Sequence, residues 1–120
     1  VAHETRRTII DGRSNPWAWG LIFAVVIAGP IVEEVVYRVS LQSAVRKLTG
    51  GAWPAVIATS AIFCLMHWSI IPDGSRHQLA ALFALSVAMG AAFERTRAIA
   101  APIVMHAAFN LVNVAIAMAG

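Results

Sequence analysis

Long apolar runs separated by connections of only a few residues leave this chain little means of folding in water. The runs cover about 17–48, 54–71, 77–93 and 99–118. Of the 120 residues, 59% are hydrophobic and only 12% charged. An average soluble protein is about 25% charged. An all-buried soluble helical core is the alternative, but too few polar residues remain to coat its surface. The mean hydropathy of +0.73 points the same way. The sequence therefore predicts an all-α fold, a polytopic transmembrane helical bundle of about four helices whose short loops make neighbours antiparallel. No strand signal, repeat or low-complexity stretch interrupts it.

Two regions are expected: a polar N-terminal arm over 1–16 and a transmembrane core over 17–120. Asn15-Pro16 is a helix start, with Pro at the first helical position. Trp17 and Trp19 follow, as interfacial aromatics do. As one helix the first run would be roughly 48 Å long, against a hydrocarbon layer of about 30 Å. Gly29-Pro30 is the expected place for a bend, because Pro30 lacks an N–H and crowds the preceding turn. Ala80, Ala84 and Ala88, and separately Ser86 and Gly90, are small residues at four-residue spacing, which lets membrane helices approach closely. The chain begins at Val1 with a polar arm and no signal peptide, and reads as a truncated piece of a larger membrane protein.

The net charge is +3. Eight of the nine basic residues lie in the arm or the connections, which makes them interfacial anchors rather than a nucleic-acid surface. Arg6, Arg7, Arg13 and Arg76 fall on one side of the bundle; Arg46, Lys47, Arg95 and Arg97 fall on the other. That balance gives no orientation. Cys64 is the only cysteine, so an internal disulfide and a Cys-rich metal knuckle are both excluded.

The ninth basic residue, Arg38, belongs to the chemistry. Three patterns put polar groups inside apolar runs: Glu33-Glu34-Val35-Val36-Tyr37-Arg38, Phe63-Cys64-Leu65-Met66-His67 and His106-Ala107-Ala108-Phe109-Asn110. A charge in the hydrocarbon layer costs several kcal/mol unless paired or hydrated, so such groups mark function. Glu34 and Arg38 are one turn apart and meet on a single helix face. Glu33 points about 100° away. Glu34 can thus be neutralised within its helix, whereas Glu33 lacks such a partner and suits a general base or acid. Taken as structure alone, the same pattern is a buried salt bridge beside a snorkelling Glu33. His67 would by itself be a packed core histidine, with Phe63 in the pocket wall or the core. His106 and Asn110 share a face and can donate to one developing oxyanion, although interhelical polar glue is the plainer reading of that pair. Tyr37, His77, Arg95 and Asn113 are left as structural or interfacial.

Other protease chemistries lack their residues. There is no HExxH pattern, since His3-Glu4 continues into Thr5-Arg6-Arg7. There is no GxSxG elbow. Asp11 and Asp73 lie in polar connections, away from the depth an aspartyl pair needs. A Cys64–His67 dyad is a remote alternative.

The order EExxxR, FxxxH, HxxxN in successive apolar helices resembles the CPBP family, the CAAX-protease and bacteriocin-processing (Abi) intramembrane endopeptidases. The match spans about 30–115, and the stretch from Arg95-Thr96-Arg97 to Ala101-Pro102-Ile103 is similar to the family's lead-in to its last histidine. Family members usually carry additional helices before the first motif. The resemblance implies that Glu33 activates water with help from His67, that His106 and Asn110 stabilise the tetrahedral oxyanion, and that Glu34, Arg38 and Phe63 support the site. It implies a glutamate-type mechanism without a cofactor. Two histidines and two glutamates are also donors that zinc accepts, so Glu33, His67 and His106 stand as the alternative metal set.

The expected partners are the lipid bilayer and a hydrophobic or lipidated peptide or protein, such as a CAAX-type tail or a bacteriocin leader. No nucleic acid is expected. The expected location is integral in a bacterial or archaeal cell membrane. Two rival functions are a non-proteolytic scaffold or self-immunity protein of the same fold, and a fragment of a proton-coupled transporter. Substitution of Glu33 discriminates the first rival, and proton flux in liposomes the second.

Overall fold

The structure, a computed structural model, describes Arg7 and residues 15–120. Of the polar arm expected over 1–16, all but Arg7, Asn15 and Pro16 lies outside the described residues.

The chain forms four principal helices: α1 (Pro16–Thr49), α2 (Ala52–Trp68), α3 (Gln78–Thr96) and α4 (Ala100–Ala119). A single 3-10 turn, Asp73–Ser75, lies between α2 and α3. Helices α1, α3 and α4 are long and apolar enough to cross a membrane; α2 is apolar but has 17 residues. The all-α, membrane-spanning fold expected from the sequence is the fold observed.

Local chemistry accounts for the ends. The Asn15 side-chain oxygen accepts from the Trp17 N–H at 3.1 Å, and Pro16 occupies the first turn, where its missing N–H costs nothing. Helix α1 stops at Gly50, which adopts the left-handed conformation (φ 74°) and returns its N–H to the Arg46 carbonyl at 2.8 Å. Helix α3 stops the same way at Arg97, with φ 54°. A non-glycine residue there is strained by roughly 1–2 kcal/mol. Its N–H reaches the Phe93 carbonyl at 2.9 Å, and Thr96 Oγ1 caps the turn by accepting from the Ala98 N–H.

At Gly29-Pro30 the first run does not break. Instead α1 widens into a π turn over Ala24–Ala28, where the Gly29 N–H bonds the Ala24 carbonyl five residues back. A second π stretch covers Val35–Gln42. In a regular α-helix, residues spaced by four drift around the axis by about 40° per step. The wider π turn offsets that drift. Glu34, Arg38 and Gln42 accordingly all stay on the inward face and are all fully buried.

The bundle is polar inside and apolar outside. Its fully enclosed side chains include Glu34, Arg38, Gln42, Thr59, Ser60 and Ser86, while Trp17, Phe23, Val32, Trp53, Leu65 and Ile116 are exposed. In water that arrangement would collapse; with lipid as solvent it is the stable one. Helices α1 and α3 approach through Ser86 and Gly90. A Cβ on Gly90 would lie 2.8 Å from Gln42 Oε1 and 3.1 Å from a Val56 methyl, so no larger residue fits without a shift. The Ala80, Ala84 and Ala88 stripe, which has the same spacing, lies on the exposed side of α3.

Candidate active site

Helices α1 and α4 bring their polar groups together across 72 residues of sequence. Glu34 is at the centre. Its Oε2 accepts from Arg38 Nε at 2.9 Å, as their one-turn spacing requires. Its Oε1 accepts from His106 Nδ1 at 2.8 Å. Both carboxylate oxygens are therefore engaged in charge-assisted bonds, which is what makes a fully enclosed carboxylate tolerable. Arg38 spends its other nitrogens on Ser86 Oγ at 3.0 Å, the Ser86 carbonyl at 3.1 Å and Gln42 Oε1 at 3.4 Å.

Glu33 stands differently. Its side chain is 40% exposed, and its Oε2 faces His106 Nε2 at 3.5 Å. The two glutamates thus grip the same imidazole from opposite nitrogens. Because Nδ1 donates to Glu34, the protonation state of Nε2 is what Glu33 meets. The 3.5 Å gap allows one water to touch both atoms.

The second pattern supplies a wall and a second imidazole. Phe63 is buried and packs its ring on three others: Tyr37 at 5.1 Å edge-on, His67 at 4.3 Å and His106 at 6.2 Å edge-on. His67 Nδ1 donates to the Phe63 carbonyl at 2.7 Å, one turn back. A carbonyl can only accept, so the proton is on Nδ1, and Nε2 is the acceptor of the neutral ring. His67 reaches the cluster through the Phe63 ring rather than by a hydrogen bond to Glu33 or His106.

Asn110, one turn beyond His106, donates from Nδ2 to the Val25 carbonyl of α1 at 2.9 Å. That carbonyl has lost its usual partners. In an α-helix it would take the Gly29 N–H, which here goes to Ala24. In a π turn it would take the N–H of residue 30, which is proline. Asn113 bonds within its own helix, to the Phe109 carbonyl. Cys64 directs its thiol to the Leu79 carbonyl at 3.6 Å, away from His67.

The residues expected at the site thus separate into a tight cluster (Glu33, Glu34, Arg38, His106), a ring wall (Phe63 with His67) and a backbone hook (Asn110). Gln42, Ser86 and Glu94 were not singled out as site residues from the sequence. The signal available was Gln42 one turn after Arg38 in the same apolar run. Among the described residues no three His, Cys, Asp or Glu side chains converge as a metal site. A cavity lined by Ala52, Trp53, Val56, Ala91, Glu94 and Arg95 lies at the far end of the α1–α3 contact, not at this cluster.

Apolar helices enclosing a cluster of two carboxylates, a guanidinium and an imidazole define an integral membrane protein with a polar, ionisable cluster inside the bundle. Compared with known families, residues 15–112 match the one described as Type II CAAX prenyl endopeptidase Rce1-like. The chain belongs to that family and is, at the level the family implies, a peptide hydrolase of the membrane. The matched stretch includes all three motifs. Comparison with curated proteins and with solved structures finds no match.

Proposed function

We propose that this chain carries the catalytic core of an intramembrane endopeptidase that hydrolyses a membrane-associated peptide or protein by glutamate-activated water. The observation that carries the reading is the unequal environment of the paired glutamates. Glu34 is enclosed, paired with Arg38 and hydrogen-bonded by His106, whereas Glu33 is half-exposed and meets His106 Nε2 at 3.5 Å. Paired titratable groups with divergent surroundings are how acid and base roles are divided.

In this mechanism Glu33 accepts the proton of a water held beside His106, and the resulting hydroxide attacks the scissile carbonyl. His106 is fixed by its Nδ1 bond to Glu34 and presents Nε2 to the same space. With a proton on Nε2 as well, it donates to the oxyanion, and Glu33 hands the proton it took from water to the leaving amine nitrogen as the C–N bond breaks. Glu34, held by Arg38, keeps the His106 ring oriented through its Nδ1 bond while Nε2 meets the oxyanion. The second Nδ2 hydrogen of Asn110 remains for the oxyanion, since the first is held by Val25. His67, with Nε2 as acceptor, assists the water from the Phe63 side. Every step in this reading uses the chain's own side chains and water. The substrate class is a hydrophobic or lipidated peptide, for which CAAX-type tails follow from the family.

The test is cleavage of a prenylated C-terminal peptide by the full-length parent in detergent, beside its Glu33→Gln variant and with and without chelator. Cleavage by the parent and none by the folded variant supports the proposal. Equal cleavage by both overturns it.

A further inference from the structure

The Glu34–Arg38 pair does not end at Arg38. Helices α1 and α3 run parallel, joined rung by rung at a constant offset of 48 residues. Arg38 donates to Ser86 Oγ at 3.0 Å and to the Ser86 carbonyl at 3.1 Å. Gln42 donates from Nε2 to the Gly90 carbonyl at 3.2 Å. Arg46 pairs with Glu94. Cross-links tie the rungs: Arg38 Nη1 donates to Gln42 Oε1 at 3.4 Å, and Gln42 Nε2 donates also to Glu94 Oε1 at 3.1 Å. The result is one polar ladder from His106 through Glu34, Arg38 and Gln42 to Glu94, and it ends on Arg46 and, at 3.8 Å, Arg97.

We infer that Gln42 and Glu94 are positioning residues for the catalytic cluster, holding the Arg38 guanidinium, and through it Glu34 and His106, in one orientation. The inference rests on the peptidase reading of that cluster. Three observations carry it. First, Gln42 is fully buried, and its amide bonds both Arg38 and the backbone of α3 one turn further on. Its oxygen must face Arg38 and its nitrogen Glu94, because the reverse would set donors against donors and a carbonyl against a carboxylate. Glu94, together with Arg38 and the Gly90 carbonyl, therefore fixes the orientation of the carboxamide. Second, Glu94 is nearly buried although it lies in the last turn of α3, and it is oriented by Arg46 and Arg97. Third, Gly90 has no side chain, and a Cβ there would occupy the space of Gln42 Oε1. The helix contact is thus shaped around this one amide. A shift of about 1 Å in a reacting group can cost on the order of 10²-fold in rate, so an orientation relayed in this way governs turnover.

The experiment uses the full-length parent in detergent. Gln42→Met keeps the volume and removes every bond. It is expected to lower kcat about 10- to 100-fold with KM little changed. Gln42→Glu sets a carboxylate against Glu94 and is expected to do the same. The double variant Gln42→Glu/Glu94→Gln restores one donor and one acceptor between the two positions, and is expected to recover much of the lost kcat. A second readout does not depend on cleavage. In protein carrying nitrogen-15 histidine, the His106 ring resonances, assigned by their loss in His106→Gln, should move in Gln42→Met and return in the double variant. A purely structural rung would lower the melting temperature while leaving kcat per folded molecule and the His106 resonances where they were, and that result overturns the inference. Failure of Glu33→Gln to affect cleavage overturns the peptidase reading instead, and the His106 resonances then still decide the ladder.

Discussion

Asn110 on α4 supplies the hydrogen bond that Pro30 withholds from the Val25 carbonyl, at 2.9 Å and across 85 residues of sequence. The π turn before Pro30 sends the Gly29 N–H to Ala24, so Val25 has no donor in its own helix. Leaving such a carbonyl unmet costs about 1–3 kcal/mol. Asn110→Ala should therefore destabilise the protein by that amount. In a Pro30→Ala background, residue 30 regains an N–H and can serve Val25, so the penalty should shrink. Thermal unfolding of the four proteins in detergent measures it. An equal penalty in both backgrounds would mean that Asn110 does not stand in for the bond that Pro30 withholds.

Glu33→Gln should abolish turnover without unfolding the protein. The amide keeps the shape but cannot take a proton from water. Loss of a general base typically lowers the rate about 10²- to 10⁴-fold. Glu33 is 40% exposed and, among the described residues, makes no direct bond other than its approach to His106, so the melting temperature should barely change. Single-turnover cleavage together with a melting curve separates the two effects.

Glu34→Ala should act mainly on stability. It would leave Arg38 buried with only Ser86 and Gln42, and His106 Nδ1 without its acceptor. Breaking one partner of a buried pair costs about 3–5 kcal/mol. The double variant Glu34→Gln/Arg38→Gln should recover part of this, because no charge is then stranded. A single variant as stable as the parent would show that the pair contributes nothing to folding.

His106→Ala should lower kcat by roughly 10²–10³ with little change in apparent substrate affinity, as expected for an oxyanion donor. Asn110→Ala should lower kcat as well, and the double variant should lose less than the product of the two, because residues acting as a unit are not additive. A metal mechanism predicts otherwise. Stoichiometric zinc in the active protein, lost together with activity in His106→Ala, would replace the glutamate-type mechanism with the metal one.

Gly90→Ala tests the packing of α3 on α1. The added methyl would meet Gln42 Oε1 at 2.8 Å and both Val56 methyls within 3.3 Å. Overpacking of this kind costs about 1–3 kcal/mol. Ala88→Gly, on the exposed face, should instead cost only the difference in helix propensity, about 1 kcal/mol in water. Comparing the two melting temperatures tells the inward small residues from the outward ones.

What the sequence determined by itself is whatever depends on spacing along one helix. The apolar runs set four helices, whose observed ends fall within about three residues of those read from hydropathy, punctuation by Gly and Pro marking the rest. One-turn spacing made Glu34 and Arg38 partners, and it left Glu33 without a basic neighbour in its own helix. Asn15-Pro16 specified its own cap. The tertiary structure alone decided which helix faces meet. A helix in lipid is apolar all round, so hydrophobic periodicity, which marks the buried face of a soluble helix, carries no direction here. That is why the alanine stripe of α3 and the Ser86–Gly90 pair looked equivalent until the fold turned one outward and the other inward. The second partner of Glu34, the donor to Val25 and the rungs of the α1–α3 ladder all lie 48 or more residues apart in sequence. Such bonds form because a polar group buried in an apolar bundle must find a partner somewhere. Which partner it finds depends on packing that no local pattern encodes. The π turn at Pro30 joins the two levels: proline dictated a lost hydrogen bond, and only the fold could bring Asn110 to replace it.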